Sequence, residues 1–387
     1  MKQVAPDGLA AAALLSLMAT AGLFYVNIMA ALVSGLSDGL GIAASDAGLI
    51  ASVNVYGAAF GGLLAIFAVR HIGWRSAAIV LLVALMVLDG VSVLFQNVTV
   101  VTAMRALHGI AGGLLVGFSF AVIARTAAPD RVFGMLLVVQ FGLGGLGLWV
   151  LPPLVPIHGP WVLFAALFLF SLVTLLLLPL LPDFPEAKEA PDSASGTFLS
   201  TPLLLTVIAI FLFQGGNMGL AAFIIELGRA AGISQDVIGP TLGFSSWIGM
   251  AGSALVVATG TRLGRSLPII AGIAVTVVGT AAFHWSTNVA VYVACNLLTA
   301  TLWAFVIPYL LGLAAAFDGS GRSAALGGFM SKMGLATGPL VASRLLDPAN
   351  FDPMIFASAL MLLLSGTVAF YPARLLDRRD REYSNRR

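Results

Sequence analysis

Apolar runs of about twenty residues follow one another along nearly the whole chain, and roughly twenty is what a helix needs to cross the hydrocarbon of a bilayer. The pattern predicts helices near 9–34, 46–69, 73–95, 98–124, 133–155, 160–182, 202–228, 237–260, 267–287, 289–316, 323–345 and 352–373. Strands that cross a membrane alternate polar and apolar residues, and these runs do not. The expected fold class is an all-α polytopic membrane protein with about twelve transmembrane helices. The first run is too long, and too poorly marked by a small-residue cleavage site, to be a removable signal.

One long polar stretch interrupts the series: DFPEAKEAPDSASGTFLS, 183–200, with two prolines, a Ser/Gly cluster and no apolar period. It reads as a flexible linker. The expected organisation is a six-helix bundle over 1–182, the linker over 183–200, a second six-helix bundle over 201–373 and a basic tail over 374–387. An offset of 239 − 48 = 191 aligns the halves. It carries Gly48 to Gly239, Gly61 to Gly252, Gly73 to Gly264, Arg105 to Asn296, Arg131 to Arg322 and Gly147 to Gly338. Asn27 and Asn217 match after a slip of one residue.

Composition agrees with the pattern. Of 387 residues, 59% are hydrophobic and only 9% charged, too few charges to cover a soluble domain of this size. The distribution of the cations says more than their number. Lys2, Arg70, Arg75, Arg125, Arg131, Lys188, Arg262, Arg265 and Arg322 fall at alternate connections, and six arginines crowd the tail; the other connections hold Arg229 and Arg344. The positive-inside rule then puts both termini in the cytoplasm, with the chain in the cell (inner or plasma) membrane. The tail is expected to lie solvated at the headgroups.

Three short stretches carry a family resemblance. RHIGWR, Arg70 to Arg75, lies between the second and third helices; TRLGR, Thr261 to Arg265, is its partner in the second half; RALHGIAGG begins at Arg105 in the fourth helix. Together with the duplicated plan they resemble the major facilitator superfamily (MFS), whose inverted repeats sit within paired six-helix bundles. The resemblance implies two pseudo-symmetric bundles, alternating access around a central cavity, and cytoplasmic gate loops at Arg70, Gly73, Arg75, Arg131, Arg262, Gly264, Arg265 and Arg322. The chain departs from the family in two places. Arg70 and Thr261 stand where the family has a loop aspartate. The fifth helix lacks the Gly-Pro pair of many drug antiporters, while Gly338-Pro339 occurs in the eleventh.

Four ionisable residues within the predicted spans stand out. A buried arginine costs at least about 2.5–3.5 kcal/mol on insertion scales and needs a partner or water. Arg105 and Asp89 lie roughly 10 and 9 Å from the outer ends of adjacent antiparallel helices at 1.5 Å per residue, so they can meet. Either they form a structural ion pair, or Arg105 faces the cavity and senses a substrate carboxylate or a proton. His108 lies one turn beyond Arg105 on the same face. It either relays a proton or stays neutral and bonds a neighbouring helix. Gly109, Gly113 and Gly117 form a small-residue ladder for close packing. Lys332 lies roughly 14 Å into the eleventh helix, where it cannot easily reach either face, and no predicted span offers an acid at that depth. It is the foremost candidate for substrate binding or coupling.

The resemblance also makes the first, fourth, seventh and tenth helices cavity-lining. Tyr25, Asn27, Gln214, Asn217, Asn296 and Trp303 fall on the first, seventh and tenth, with Gln140 on the fifth as a further candidate. Phe24 and Phe213 could add aromatic walls for a partly apolar ligand. Each polar group by itself is equally a hydrogen bond between helices.

Other chemistry is not indicated. The four histidines have no metal-ligand spacing, Cys295 is the single cysteine, and no phosphate loop or nucleic-acid footprint occurs. No cofactor or metal is expected. The expected function is secondary transport, not catalysis: a monomer in the bilayer moving a small-molecule substrate, favoured as an organic anion, with the proton as coupling ion. A drug or metabolite efflux antiporter is the alternative; a membrane-embedded enzyme or a transporter-like receptor fits less well.

Overall fold

The computed structural model describes residues 3–69, 71–127, 129–184, 200–259, 262–317 and 322–385. Fourteen α-helices are found among them, in two compact units, Met1–Ala190 and Pro191–Arg387. The first unit holds α1 (Leu9–Asn27), α2 (Met29–Leu40), α3 (Ala44–Ala68), α4 (Trp74–Ser92), α5 (Val98–Ile123), α6 (Pro129–His158) and α7 (Trp161–Leu177). The second holds α8 (Thr201–Ala221), α9 (Ile224–Ala230), α10 (Gln235–Thr259), α11 (Ser266–Ala281), α12 (Val289–Ala315), α13 (Arg322–Leu345) and α14 (Asp352–Asn385). Among the described residues, ten helical segments are long and apolar enough to cross a membrane. The longer α10 and α13 fall outside that group; the second carries Lys332 in its interior.

Two spans expected to be continuous are bent. The first, expected over 9–34, breaks at Ile28 (φ −112°, ψ 22°) and then runs on as α2 to Leu40. The seventh, expected over 202–228, makes the same backbone step at Phe223 (φ −113°, ψ 17°). A ψ near +20° in place of about −42° turns the helix axis without altering its hydropathy, so the apolar pattern cannot register it. At the other end of the chain, α14 continues well past 373, and Arg374 to Asn385 are helical. The helix thus runs on into the segment read as a basic tail.

Capping explains where two long helices start. Asn97 accepts from the amides of Thr99 (2.9 Å) and Val100 (3.2 Å) at the head of α5. Asn288 accepts from Ala290 N–H (3.0 Å) at the head of α12. These side chains satisfy amides that have no partner within the helix.

The helices of each unit pack closely where glycine leaves room. A Cβ on Gly61 of α3 would lie 2.1 Å from the Ile110 carbonyl of α5, and one on Gly252 of α10 would lie 2.0 Å from the Thr301 carbonyl of α12. In the first unit Leu15, Met18, Leu82, Leu85, Leu115 and Phe118 build a core from α1, α4 and α5. In the second, Ile210, Phe213, Ile269, Ile273, Leu310 and Leu362 build its counterpart from α8, α11, α12 and α14. Large apolar side chains outside these cores form outward stripes, such as Val80 and Val87 on α4 and Phe356, Leu363 and Phe370 on α14. Their spacing of seven places each set on one helix face, as a face in contact with lipid requires.

Candidate functional site

The first unit buries a network of charge. Asp89 comes from α4 and Arg105 from α5, and neither side chain is open to solvent. Arg105 Nη1 donates to Asp89 Oδ1 at 2.7 Å, and its Nη2 donates to Ser92 Oγ (2.5 Å) and the Leu88 carbonyl (3.1 Å). Its guanidinium also lies over the Phe164 ring of α7, 4.9 Å from the centroid. The ion pair is present, and the guanidinium is buried and engaged within its own unit, with its Nε without a hydrogen-bond partner among the described residues. Breaking such a pair leaves an uncompensated charge in a low-dielectric interior.

His108 extends the network. Asn54 of α3 donates to its Nδ1 at 3.0 Å, while Nε2 lies 3.5 Å from Asp89 Oδ2. Tyr25 of α1 is buried with its ring 5.7 Å from the imidazole, and among the described residues its hydroxyl has no hydrogen-bond partner. Asn54 was not singled out from the sequence. Nothing distinguishes it there from other isolated polar residues in glycine-rich helices.

The second unit gathers a different group. Trp303 Nε1 on α12 donates to Gln214 Oε1 on α8 at 2.6 Å, and Gln214 Nε2 donates to Ser331 Oγ on α13 at 2.7 Å. Indole N–H only donates, so it fixes which way the amide points. Lys332 follows Ser331 directly and is partly exposed. Among the described residues no acidic side chain pairs with it. Gly334 makes the approach of α13 to α8 possible, because a Cβ there would lie 2.3 Å from the Phe211 carbonyl.

The remaining expected residues scatter. Asn217 and Asn296 donate to carbonyls of their own helices, Phe213 O (2.8 Å) and Tyr292 O (2.9 Å). Asn27 sits at the bend after α1, and its Nδ2 is buried without a hydrogen-bond partner among the described residues. Gln140 is half-buried on α6 and, among the described residues, hydrogen-bonds to neither network. Phe24 stacks on Phe170 with ring centroids 4.6 Å apart, and Phe213 is fully enclosed in the second core. These two rings serve packing and form no open aromatic wall.

Both glycine-containing loops are fastened to the C-terminal part of their own unit, the first to the segment that follows α7 and the second to α14. In the first, Gly73 precedes α4, and Arg75 donates to Asp183 at 2.7 Å and to the Leu181 carbonyl, with its guanidinium over Trp74. In the second, Asp377 of α14 accepts from the amides of Arg265 (2.7 Å) and Ser266 (3.0 Å) and from Ser266 Oγ (2.5 Å). Gly264 has φ +70°, a value that favours glycine, and a Cβ there would lie 2.8 Å from Asp377 Oδ2. Arg131 and Arg262 are exposed. Arg70 and the side chain of Arg322 lie outside the described residues, as does most of the linker. Asp183 and Asp377 went unnoticed in the sequence because each binds across more than 100 positions.

No curated protein sequence matches the chain. Among solved structures it is similar to the nucleoside transporter NupG, in a mutant form, with a TM-score of 0.72 at 15% identity over 94% of this chain and 98% of that one. It is similar also to a D-xylose–proton symporter, with a TM-score of 0.70 at 17% identity over 92% of this chain and 97% of that one. At such identities the likeness is one of fold. The family model described as Major Facilitator Superfamily matches residues 12–331, which is most of the chain, and the protein therefore belongs to that superfamily as a multi-pass membrane transporter.

Proposed function

We propose that this transporter moves a small organic anion, a carboxylate with an aromatic or partly apolar body, by alternating access coupled to protons. Lys332 is the observation that carries this reading. It is a cation in the interior of α13 without an acidic partner among the described residues, set beside the Trp303–Gln214–Ser331 chain of hydrogen bonds. An ammonium at membrane depth must be paired or wetted. A substrate carboxylate supplies the missing charge, and the relay beside it offers an indole face and a hydroxyl. Arg105, already paired with Asp89, belongs to the proton-linked side of the proposal together with His108. The distribution of cations supports cytoplasmic termini.

A second reading is a neutral polyol or nucleoside-like solute. The amides of Gln214, Asn217 and Asn296 favour it, as does the likeness of fold to a nucleoside transporter and a D-xylose–proton symporter. Thermal stabilisation of purified protein by organic acids, sugars, nucleosides and hydrophobic cations separates the readings, because a ligand that binds the folded state raises apparent stability by mass action. Stabilisation by aromatic carboxylates that disappears in Lys332→Gln supports the anion. Stabilisation by sugars or nucleosides that survives the substitution replaces it with the polyol. Stabilisation by hydrophobic cations alone favours an efflux antiporter.

A further inference from the structure

Asn54 is 2% exposed and joins α3 to α5 at two points. Its Nδ2 lies 3.0 Å from the Arg105 carbonyl oxygen and 3.0 Å from His108 Nδ1. A peptide carbonyl can only accept, so the Asn54 atom facing it is the amide nitrogen. That nitrogen carries two hydrogens and donates both. His108 Nδ1 therefore presents a lone pair, and the proton of the neutral imidazole resides on Nε2, the atom 3.5 Å from Asp89 Oδ2. The tautomer follows from hydrogen-bond chemistry alone.

We infer that Asn54 is a positioning residue that holds His108 as the Nε2–H tautomer, so that a proton reaching this network enters at His108 Nδ1 and breaks the Asn54 bridge between α3 and α5. The inference rests on the proton-coupled reading above and names the residue that takes the proton. The step is protonation only. An N–H bond forms between the Nδ1 lone pair and a proton given up by hydronium, whose O–H bond breaks to leave water; no bond of the protein is broken, and one positive charge is added beside the Asp89–Arg105 pair. The ionisable groups facing His108 are Asp89 from α4, which favours the imidazolium, Arg105 from α5, which opposes it, and the phenol of Tyr25 from α1. From α3 the facing group is the neutral Asn54 amide, and α7 contributes the Phe164 ring against Arg105.

The bridge cannot survive the added proton. An Nδ1–H would confront the Asn54 amide hydrogens. Turning the amide over to offer Oδ1 would instead set that oxygen against the Arg105 carbonyl. Either way one of the two contacts is lost. The loss falls in a seam with little slack, where a Cβ on Gly109 would lie 1.9 Å from the Asn54 carbonyl and one on Gly57 would lie 2.4 Å from the Ala106 carbonyl. Close-packed backbones transmit such a change along both helices rather than absorbing it.

The test uses the full chain, labelled with ¹⁵N-histidine, in detergent micelles. Nitrogen NMR distinguishes the two tautomers and the imidazolium, and His108→Gln identifies the His108 signals among the four histidines. The expected result near pH ~8 is an unprotonated Nδ1 and a protonated Nε2, with protonation on acidification and faster amide exchange in α3 and α5. Asn54→Leu removes the opposing donors and should raise the proton affinity of His108 at least about tenfold, one pH unit. Asn54 is merely structural if that variant lowers the melting temperature while leaving tautomer and titration midpoint unchanged. An Nδ1–H tautomer in the wild-type protein overturns the inference outright, even if Asn54→Leu does not fold. Failure of the coupling reading is distinguishable: His108 titrates as described, yet a pH gradient across proteoliposomes drives no uptake of any solute that stabilises the protein.

Discussion

Asn97 and Asn288 stand 191 positions apart and do the same work, each closing the first turn of a long helix with its side-chain oxygen. The offset found from the glycines thus extends to a capping residue. Replacing either by Ala should cost about 1 kcal/mol, and the two losses should be similar and additive, since the caps lie in separate units. Unfolding midpoints of the two single variants and the double variant check this; a strongly unequal pair would show that the repeats no longer share their helix starts.

The Arg105–Asp89 pair should respond as a unit. Either single substitution, Arg105→Ala or Asp89→Asn, strands a buried group, and breaking such pairs costs roughly 3–5 kcal/mol. The double variant should be less destabilised than the sum of its parts by about 0.5–3 kcal/mol. A cycle of melting temperatures measures the coupling. Simple additivity would mean that the pair contributes nothing as a pair.

Lys332→Gln should leave the melting temperature of the protein without added ligand unchanged or raised, because no acidic partner among the described residues is stranded by its loss. The contrast with Arg105→Ala is the informative comparison. A large drop in stability for Lys332→Gln would point to a structural partner and remove the main support for an anionic substrate.

Two glycines in long helices should behave in opposite ways when changed to alanine. Gly61→Ala drives a Cβ onto the Ile110 carbonyl, with backbone on both sides and no flexible side chain to yield; overpacking of this kind costs typically 1–3 kcal/mol. Gly312 of α12 has no heavy atom within 4 Å of an added Cβ, so Gly312→Ala should be neutral or gain up to about 1 kcal/mol from helix propensity. Thermal unfolding of the two variants side by side tests the seam.

Reporter fusions after Ser195, Gly232 and Arg387 test the orientation inferred from loop charge. The expected outcome is a cytoplasmic signal at Ser195 and Arg387 and an external one at Gly232. An external signal at the final residue would reverse every assignment of faces.

The hydropathy pattern of this chain determined the class of fold and the approximate extent of most helices, because burial in lipid constrains every residue of a span in the same way. Its 191-residue repeat was legible for a related reason. Glycines such as Gly61 and Gly252 are held by the same backbone approach in each unit, so they recur at a fixed spacing. The meeting of Asp89 with Arg105 could be anticipated from their depths on consecutive helices. Tertiary structure alone decided the rest. Asn54 and His108 are 54 positions apart, Arg75 and Asp183 are 108, and Ser266 and Asp377 are 111. No local periodicity links such pairs; helix packing selects them. The bends at Ile28 and Phe223 belong here too, since one rotated peptide redirects a helix while every side chain in the run stays as apolar as before.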